Sequence, residues 1–66
     1  MLLHLNGQTT ELPMGLTARA LLERLQLTGA RVAMEVNGEI LPRSAHAAHE
    51  LKDGDKVEIV HAIGGG

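Results

Sequence analysis

Apolar and polar residues alternate in short runs along this chain, and turn-forming pairs separate the runs. Leu2-Leu3-His4-Leu5 and Gln8-Thr9-Thr10-Glu11-Leu12 flank Asn6-Gly7. Asn-Gly supplies the two positive φ angles of a tight type I′ turn, so the pattern predicts an opening hairpin. Pro13 and Gly15 break the alternation, and Ala18, Leu21, Leu22 and Leu25 then recur at helical spacing with Arg19, Glu23 and Arg24 on the solvent side. Thr17 is placed to cap that helix through its hydroxyl. Leu16 and Leu21 are placed as a hydrophobic staple around the cap.

Gly29 lies where the helix should have ended, and Val32-Ala33-Met34-Glu35-Val36 returns to a period of two, turning Val32, Met34 and Val36 to one face. Asn37-Gly38 offers a second tight turn into Glu39-Ile40-Leu41, which Pro42 closes. Ser44 is a candidate cap for a helical turn through Ala45, His46, Ala47 and Ala48. Asp53-Gly54-Asp55 leads into Lys56-Val57-Glu58-Ile59-Val60-His61-Ala62, the strongest strand signal in the chain.

This order predicts an α+β fold: a mixed sheet of about four to five strands on one main helix, with a short helical turn before the last strand. Leu3, Leu5, Met34, Val36, Val57 and Ile59 should share a core with Leu21, Leu22 and Leu25. Leu2, His4, Val60 and Ala62 should then project from the other face, a partly apolar surface beside the chain end and a candidate docking face. The domain is expected to span residues 1–63, with 64–66 as a flexible glycine tail.

At 66 residues there is room for one small core. Phe, Tyr, Trp and Cys are all absent, so that core is aliphatic and no disulfide staples it. The net charge of -2 argues against nucleic-acid binding. Charge is unevenly placed: residues 1–34 hold Arg19, Arg24 and Arg31 against Glu11 and Glu23. Residues 35–66 hold Glu35, Glu39, Glu50, Asp53, Asp55 and Glu58 against Arg43, Lys52 and Lys56. A partner with a basic face is one reading of that bias and a solvated acidic surface the other. With no apolar run of spanning length and no signal-peptide pattern, the expectation is a cytoplasmic protein without a membrane partner, monomeric when free.

The candidate chemistry sits in Ala62-Ile63-Gly64-Gly65-Gly66. Gly64 and Gly65 have no Cβ, so an extended Gly-Gly stem enters a slot too narrow for side chains and carries the Gly66 carboxylate with it. At about 3.5 Å per residue the three glycines reach roughly 10 Å. A frayed, inert terminus is the competing reading. His46 and His49 face one side of a helical turn but lack further ligands, so no metal site is expected. His4 and His61 read as surface charge and Glu35, Glu39 and Glu58 as solvated carboxylates. Met1, Met14 and Met34 read as start, loop and core residues.

Taken together, the hairpin at Asn6-Gly7, the helix Thr17-Ala18-Arg19-Ala20-Leu21-Leu22, the stretch from Val36 through Asn37-Gly38-Glu39-Ile40-Leu41-Pro42-Arg43-Ser44, the turn Asp53-Gly54-Asp55 with Val57-Glu58-Ile59-Val60, and the terminal glycines resemble the ThiS family of sulfur carriers in thiamine biosynthesis. The resemblance covers essentially the whole chain and implies a ubiquitin-like β-grasp fold. It further implies that a ThiF-like adenylyltransferase, using ATP and Mg²⁺, activates the Gly66 carboxylate. A cysteine desulfurase or a rhodanese-like protein would then supply sulfur to form a thiocarboxylate, and the thiazole synthase ThiG would consume it. On this reading the chain is a carrier and co-substrate, not an enzyme, and binds no cofactor itself. Gly64, Gly65, Leu2, Val60 and Ala62 would meet the partners. The alternatives are a MoaD-like small subunit of molybdopterin synthase and a non-conjugated β-grasp binding module.

Overall fold

The computed structural model describes residues 1–28 and 31–61. Five strands form one mixed sheet: β1 (Leu2–Leu5), β2 (Gln8–Glu11), β3 (Val32–Val36), β4 (Glu39–Leu41) and β5 (Lys56–His61), in the spatial order β2-β1-β5-β3-β4. β1 and β5 run parallel and every other pair is antiparallel. A single helix, α1 (Ala18–Arg24), crosses one face, and a 3₁₀ turn at Arg43–Ala45 precedes the last strand. This is the mixed sheet on one helix expected from the order of the runs, in the β-grasp arrangement that the family resemblance implied.

Both hairpins are set by Asn-Gly pairs. Asn6 and Gly7 have φ of 48° and 83°, Asn37 and Gly38 have 53° and 84°, the left-handed pairs of a type I′ turn. Each asparagine has a second function, because its side chain reaches across to β5. The Ile59 amide donates to Asn6 Oδ1 at 2.8 Å, extending the β1–β5 ladder by one rung after the Asn6 amide has donated to the Val57 carbonyl at 2.9 Å. At the start of β5, the Lys56 amide donates to Asn37 Oδ1 at 2.9 Å, and Asn37 Nδ2 donates to Asp55 at 3.0 Å. Short turns and strand docking are thus specified by the same two residues.

α1 is only seven residues long, too short to persist alone in water. Its first amides are satisfied from outside. Ala18 donates to the His49 carbonyl at 2.9 Å, Arg19 to the His46 carbonyl at 3.0 Å, and Ala20 to the Thr17 hydroxyl at 3.1 Å. The Thr17 cap is therefore as expected, while the long connection after β4 supplies the remaining acceptors. At the other end Gln26 takes φ of 59°, and the amides of Gln26 and Leu27 return to the carbonyls of Glu23 and Leu22 at 3.0 and 2.8 Å. This is a Schellman turn with glutamine in the position that usually selects glycine. The helix ends there; Gly29 lies outside the described residues.

The core holds Leu3, Ala18, Leu21, Leu22, Met34, Val36, Leu51, Val57 and Ile59, with Leu5 and Leu16 partly buried against it. Three expectations are corrected. Leu25 is the helix C-cap and lies exposed, because the helix stops before that position can turn inward. Ser44 does not cap a helix: it sits inside the 3₁₀ turn, whose N-cap is Pro42 with no side-chain bond. His46, expected within a helical turn beside His49, is instead the C-cap of the 3₁₀ turn, is only 6% exposed and donates from Nε2 to the Leu41 carbonyl at 3.1 Å. Leu51, unassigned by periodicity, is buried because its amide bonds to the Leu16 carbonyl at 2.9 Å and draws the loop under the helix start.

Replacing Asn6 by Gly preserves the positive φ and deletes only the acceptor for the partly buried Ile59 amide. N6G is expected to lower unfolding stability by about 1 kcal/mol, with N6D, which keeps an acceptor oxygen, nearer the parent in urea denaturation. Equal stabilities for N6G and the parent would show that the cross-strand bond contributes nothing.

Candidate functional site: the open sheet face and the end of β5

The face of the sheet away from α1 carries no covering element among the described residues. Register assigns its occupants: Leu2 and His4 from β1, Thr9 and Glu11 from β2, Ala33 and Glu35 from β3, Ile40 from β4, and Lys56, Glu58 and Val60 from β5. Val60 stands directly opposite Ala33, and Ile40 opposite Glu35 on the adjoining row. With Val60 56% and Ile40 74% exposed, Ala33 between them joins these side chains into an apolar diagonal from Val60 near the end of β5 to Ile40, level with Glu58. Burial of such side chains by a partner removes apolar area from water, at roughly 25 cal/mol per Å².

Leu2 also faces outward, 47% exposed, but does not join this patch. His4 pairs with Lys56, so Leu2 lies two residues back along β1 while Val60 lies four residues on along the parallel β5. Six steps at about 3.3 Å separate them by roughly 20 Å. Of Leu2 and Val60, only Val60 therefore lies near the end of β5, with Ile40 two strands away on the adjoining row; Ala62 lies outside the described residues. Ile40 was legible: a two-residue turn at Asn37-Gly38 pairs Glu35 with Ile40, and burial of Met34 and Val36 turns that pair outward.

A like-charge pair crosses the middle of the face. Glu35 and Glu58 are direct partners in the β3–β5 ladder, where opposed like charges disfavour the isolated sheet. Both stay solvent-accessible, Glu35 half-buried and Glu58 exposed, which limits that penalty. The acidic pair is bordered by the apolar patch on one side, a combination that suits a partner surface carrying both aliphatic and basic groups.

The backbone end of this face is β5 itself. It lies at the centre of the sheet between β1 and β3, and its final residue, His61, pairs with Val32. Ala62, Gly64, Gly65 and Gly66 lie outside the described residues, as does the proposed boundary between domain and tail at residue 63. Whatever follows His61 is attached to the most constrained strand of the fold, so its point of departure is held in place.

The histidines are not gathered. His4 pairs beside Lys56, five residues from His61 on the neighbouring strand, and His46 is committed to the Leu41 carbonyl. Among the described residues no group of three or more His, Asp or Glu side chains is positioned to hold a metal ion. Nor is any described helix long and apolar enough to cross a membrane.

With this geometry in view, the comparisons are specific. Residues 3–66 match the ThiS family, a span that includes the terminal glycines. The sulfur carrier protein ThiS of Escherichia coli is 36% identical over 61 residues, covering 92% of each chain. The crystal structure of the thiamine biosynthesis protein ThiS from Geobacter metallireducens superposes with a TM-score of 0.87 at 39% identity, covering the whole of both chains. A thiazole synthase of Paramagnetospirillum magneticum is 44% identical over all 66 residues, and this chain spans only 20% of that protein's length.

Two substitutions test the face. E58K replaces a like-charge pair by an opposite one and is expected to raise stability by roughly 0.5 kcal/mol in chemical denaturation; no gain would mean that solvent already screens Glu35 from Glu58. V60D is expected to leave the melting temperature nearly unchanged, since the side chain lies outside the core, while weakening capture by an immobilised ThiF-type adenylyltransferase in surface plasmon resonance about tenfold. L2D should have a smaller effect on that capture; the reverse order would move the docking face to the β1–β2 edge. The family match, the full-length superposition and the sheet order converge on one assignment: this chain belongs to the ThiS family.

Proposed function

We propose that this protein is a sulfur carrier for thiazole formation in thiamine biosynthesis, with the Gly66 carboxylate as the carrying group. The family match running through Gly66 is the observation that supports this most directly, since it includes the residues that would carry the chemistry. A sheet that anchors β5 on both sides and leaves its outer face open provides a suitable handle. The chain contains no cysteine, and a backbone carboxyl needs none to bear sulfur.

The chemistry follows from the state of that group. An α-carboxylate with a pKa near about 3.5 is ionised at neutral pH, and its negative charge repels nucleophiles. A ThiF-like adenylyltransferase with ATP and Mg²⁺ joins the carboxylate oxygen to AMP and releases pyrophosphate, converting it to a mixed anhydride with a good leaving group. The terminal sulfur of a persulfide, made by a cysteine desulfurase or carried by a rhodanese-like protein, attacks the Gly66 carbonyl carbon and expels AMP. Thiol cleavage of the resulting S–S bond leaves the thiocarboxylate. Gly64 and Gly65 form the thin stem that admits the reacting carbonyl into each partner's active site.

In this scheme nucleophile, base and nucleotide site belong to the partners, and the chain acts as their co-substrate rather than as an enzyme. The thiazole synthase ThiG is the proposed acceptor. The long thiazole synthase relatives support that choice, because a segment similar to this chain is part of proteins named for that activity.

Incubation with a ThiF-type enzyme, ATP, Mg²⁺ and a persulfide donor is expected to raise the intact mass by the difference between sulfur and oxygen, with fragmentation locating the change at Gly66. Deleting Gly66 should abolish the change while leaving the melting temperature within about 1 °C, because a terminal glycine has no side chain to pack. An unchanged mass for the parent would favour an inert binding module. Transfer of the sulfur to a molybdopterin precursor, with none to thiazole, would place the chain with MoaD-like carriers.

A further inference from the structure

On the helix side of the sheet, away from the open face, a cavity of about 210 Å³ opens between α1, the turn that follows it and the 3₁₀ segment. Leu22, Leu27, Val32 and Ala47 give it an aliphatic floor at the edge of the core, Arg19 and Arg43 line it from opposite elements, and Thr28 and His46 complete the lining with a hydroxyl and an imidazole. We propose that this cavity binds a small carboxylate carrying a short aliphatic body.

Backbone bonds hold the walls in place before any ligand arrives. The Schellman turn bonds Leu27 to Leu22 at 2.8 Å, placing two floor residues side by side. The Arg19 amide donates to the His46 carbonyl at 3.0 Å, and the His46 ring donates to the Leu41 carbonyl at 3.1 Å, so the two sides of the opening are joined through one buried residue. A preformed site avoids the ordering cost that weakens binding to mobile segments.

Charge selects the ligand's head. The one carboxylate paired with either arginine among the described residues is Glu23, whose Oε2 lies 3.7 Å from Arg19 Nε in an exposed contact. Such a pair is weak and leaves the terminal guanidinium nitrogens of Arg19 available. Arg43 forms no ion pair among the described residues, so two guanidinium groups border one opening with a single exposed acid beside them. Planar guanidinium forks match the two oxygens of a carboxylate.

Volume and floor select the body. At about 210 Å³ the cavity has room for a chain of four to six carbons. An aliphatic floor gives no hydrogen bonds to a compact, fully hydrated anion such as inorganic phosphate, and gains from contact with methylenes. His46 is a wall rather than a ligand, because its Nε2 proton is already committed.

The test uses the full, isotope-labelled chain and sodium hexanoate, followed by amide chemical shifts at constant ionic strength. Saturable shifts are expected at Leu22, Leu27, Val32 and Arg43, with a Kd of order 1 mM, as suits so small a ligand. R43Q and R19Q should each weaken binding about tenfold while melting like the parent, and neutral hexanamide and inorganic phosphate should produce no saturable shift. The proposal is overturned if hexanoate leaves these amides unmoved, if both arginine variants bind as the parent does, or if hexanamide matches hexanoate. Tighter binding of inorganic phosphate than of hexanoate would also overturn it, by showing an anion site in which the floor takes no part. None of these outcomes depends on sulfur transfer, so they stand apart from the carrier reading.

Discussion

The fold depends on the double pairing of β5. This strand enters last in sequence and central in space, parallel to β1 and antiparallel to β3, with Val57 and Ile59 buried against the helix. A parallel neighbour cannot be reached by a short turn, so the chain must first lay down the hairpin, the helix and the β3–β4 pair before β5 can fill the gap between them. The two asparagines at the hairpin tips tie that gap closed, Asn37 at the start of β5 and Asn6 at its middle. A residue attached to His61 is consequently attached to the strand that would cost most to displace, and a carrier end needs such a base if a partner is to pull on it without opening the domain.

The small core sets a second constraint. Without aromatic side chains, nine residues, each aliphatic or Met34, form the buried cluster, and a seven-residue helix cannot contribute stability unless its ends are satisfied. The connection from Pro42 to Lys52 meets that need, since His46 and His49 give their carbonyls to the helix start and Leu51 enters the core beneath it. A segment that looks irregular in the sequence is therefore part of the helix cap. Its path around the helix also creates the basic-rimmed cavity, so that cavity is a by-product of how the cap is built as well as a candidate site.

The two surfaces thus divide by face. The outer face of the sheet, with Val60, Ile40 and the opposed pair Glu35 and Glu58, is free because β1, β3 and β5 turn their apolar faces to the core. The cavity lies in the layer of α1 and carries the opposite charge. Acidic and basic features are kept apart by the sheet between them, so a basic partner approaching the outer face does not meet the arginines.

The local grammar of the chain determined a great deal by itself. Asn6-Gly7 and Asn37-Gly38 specify both hairpins, Thr17 specifies the helix start, and alternation specifies which faces of β3 and β5 turn inward, because each of these depends on residues within a few positions of one another. Tertiary structure alone decided the rest. Leu51 is buried because the Leu16 carbonyl draws it under the helix start; His46 is buried where its carbonyl accepts from Arg19 of the helix; Leu2 and Val60 share a face yet sit at opposite ends because β1 and β5 run parallel. These outcomes depend on contacts between segments tens of residues apart, which no local period encodes.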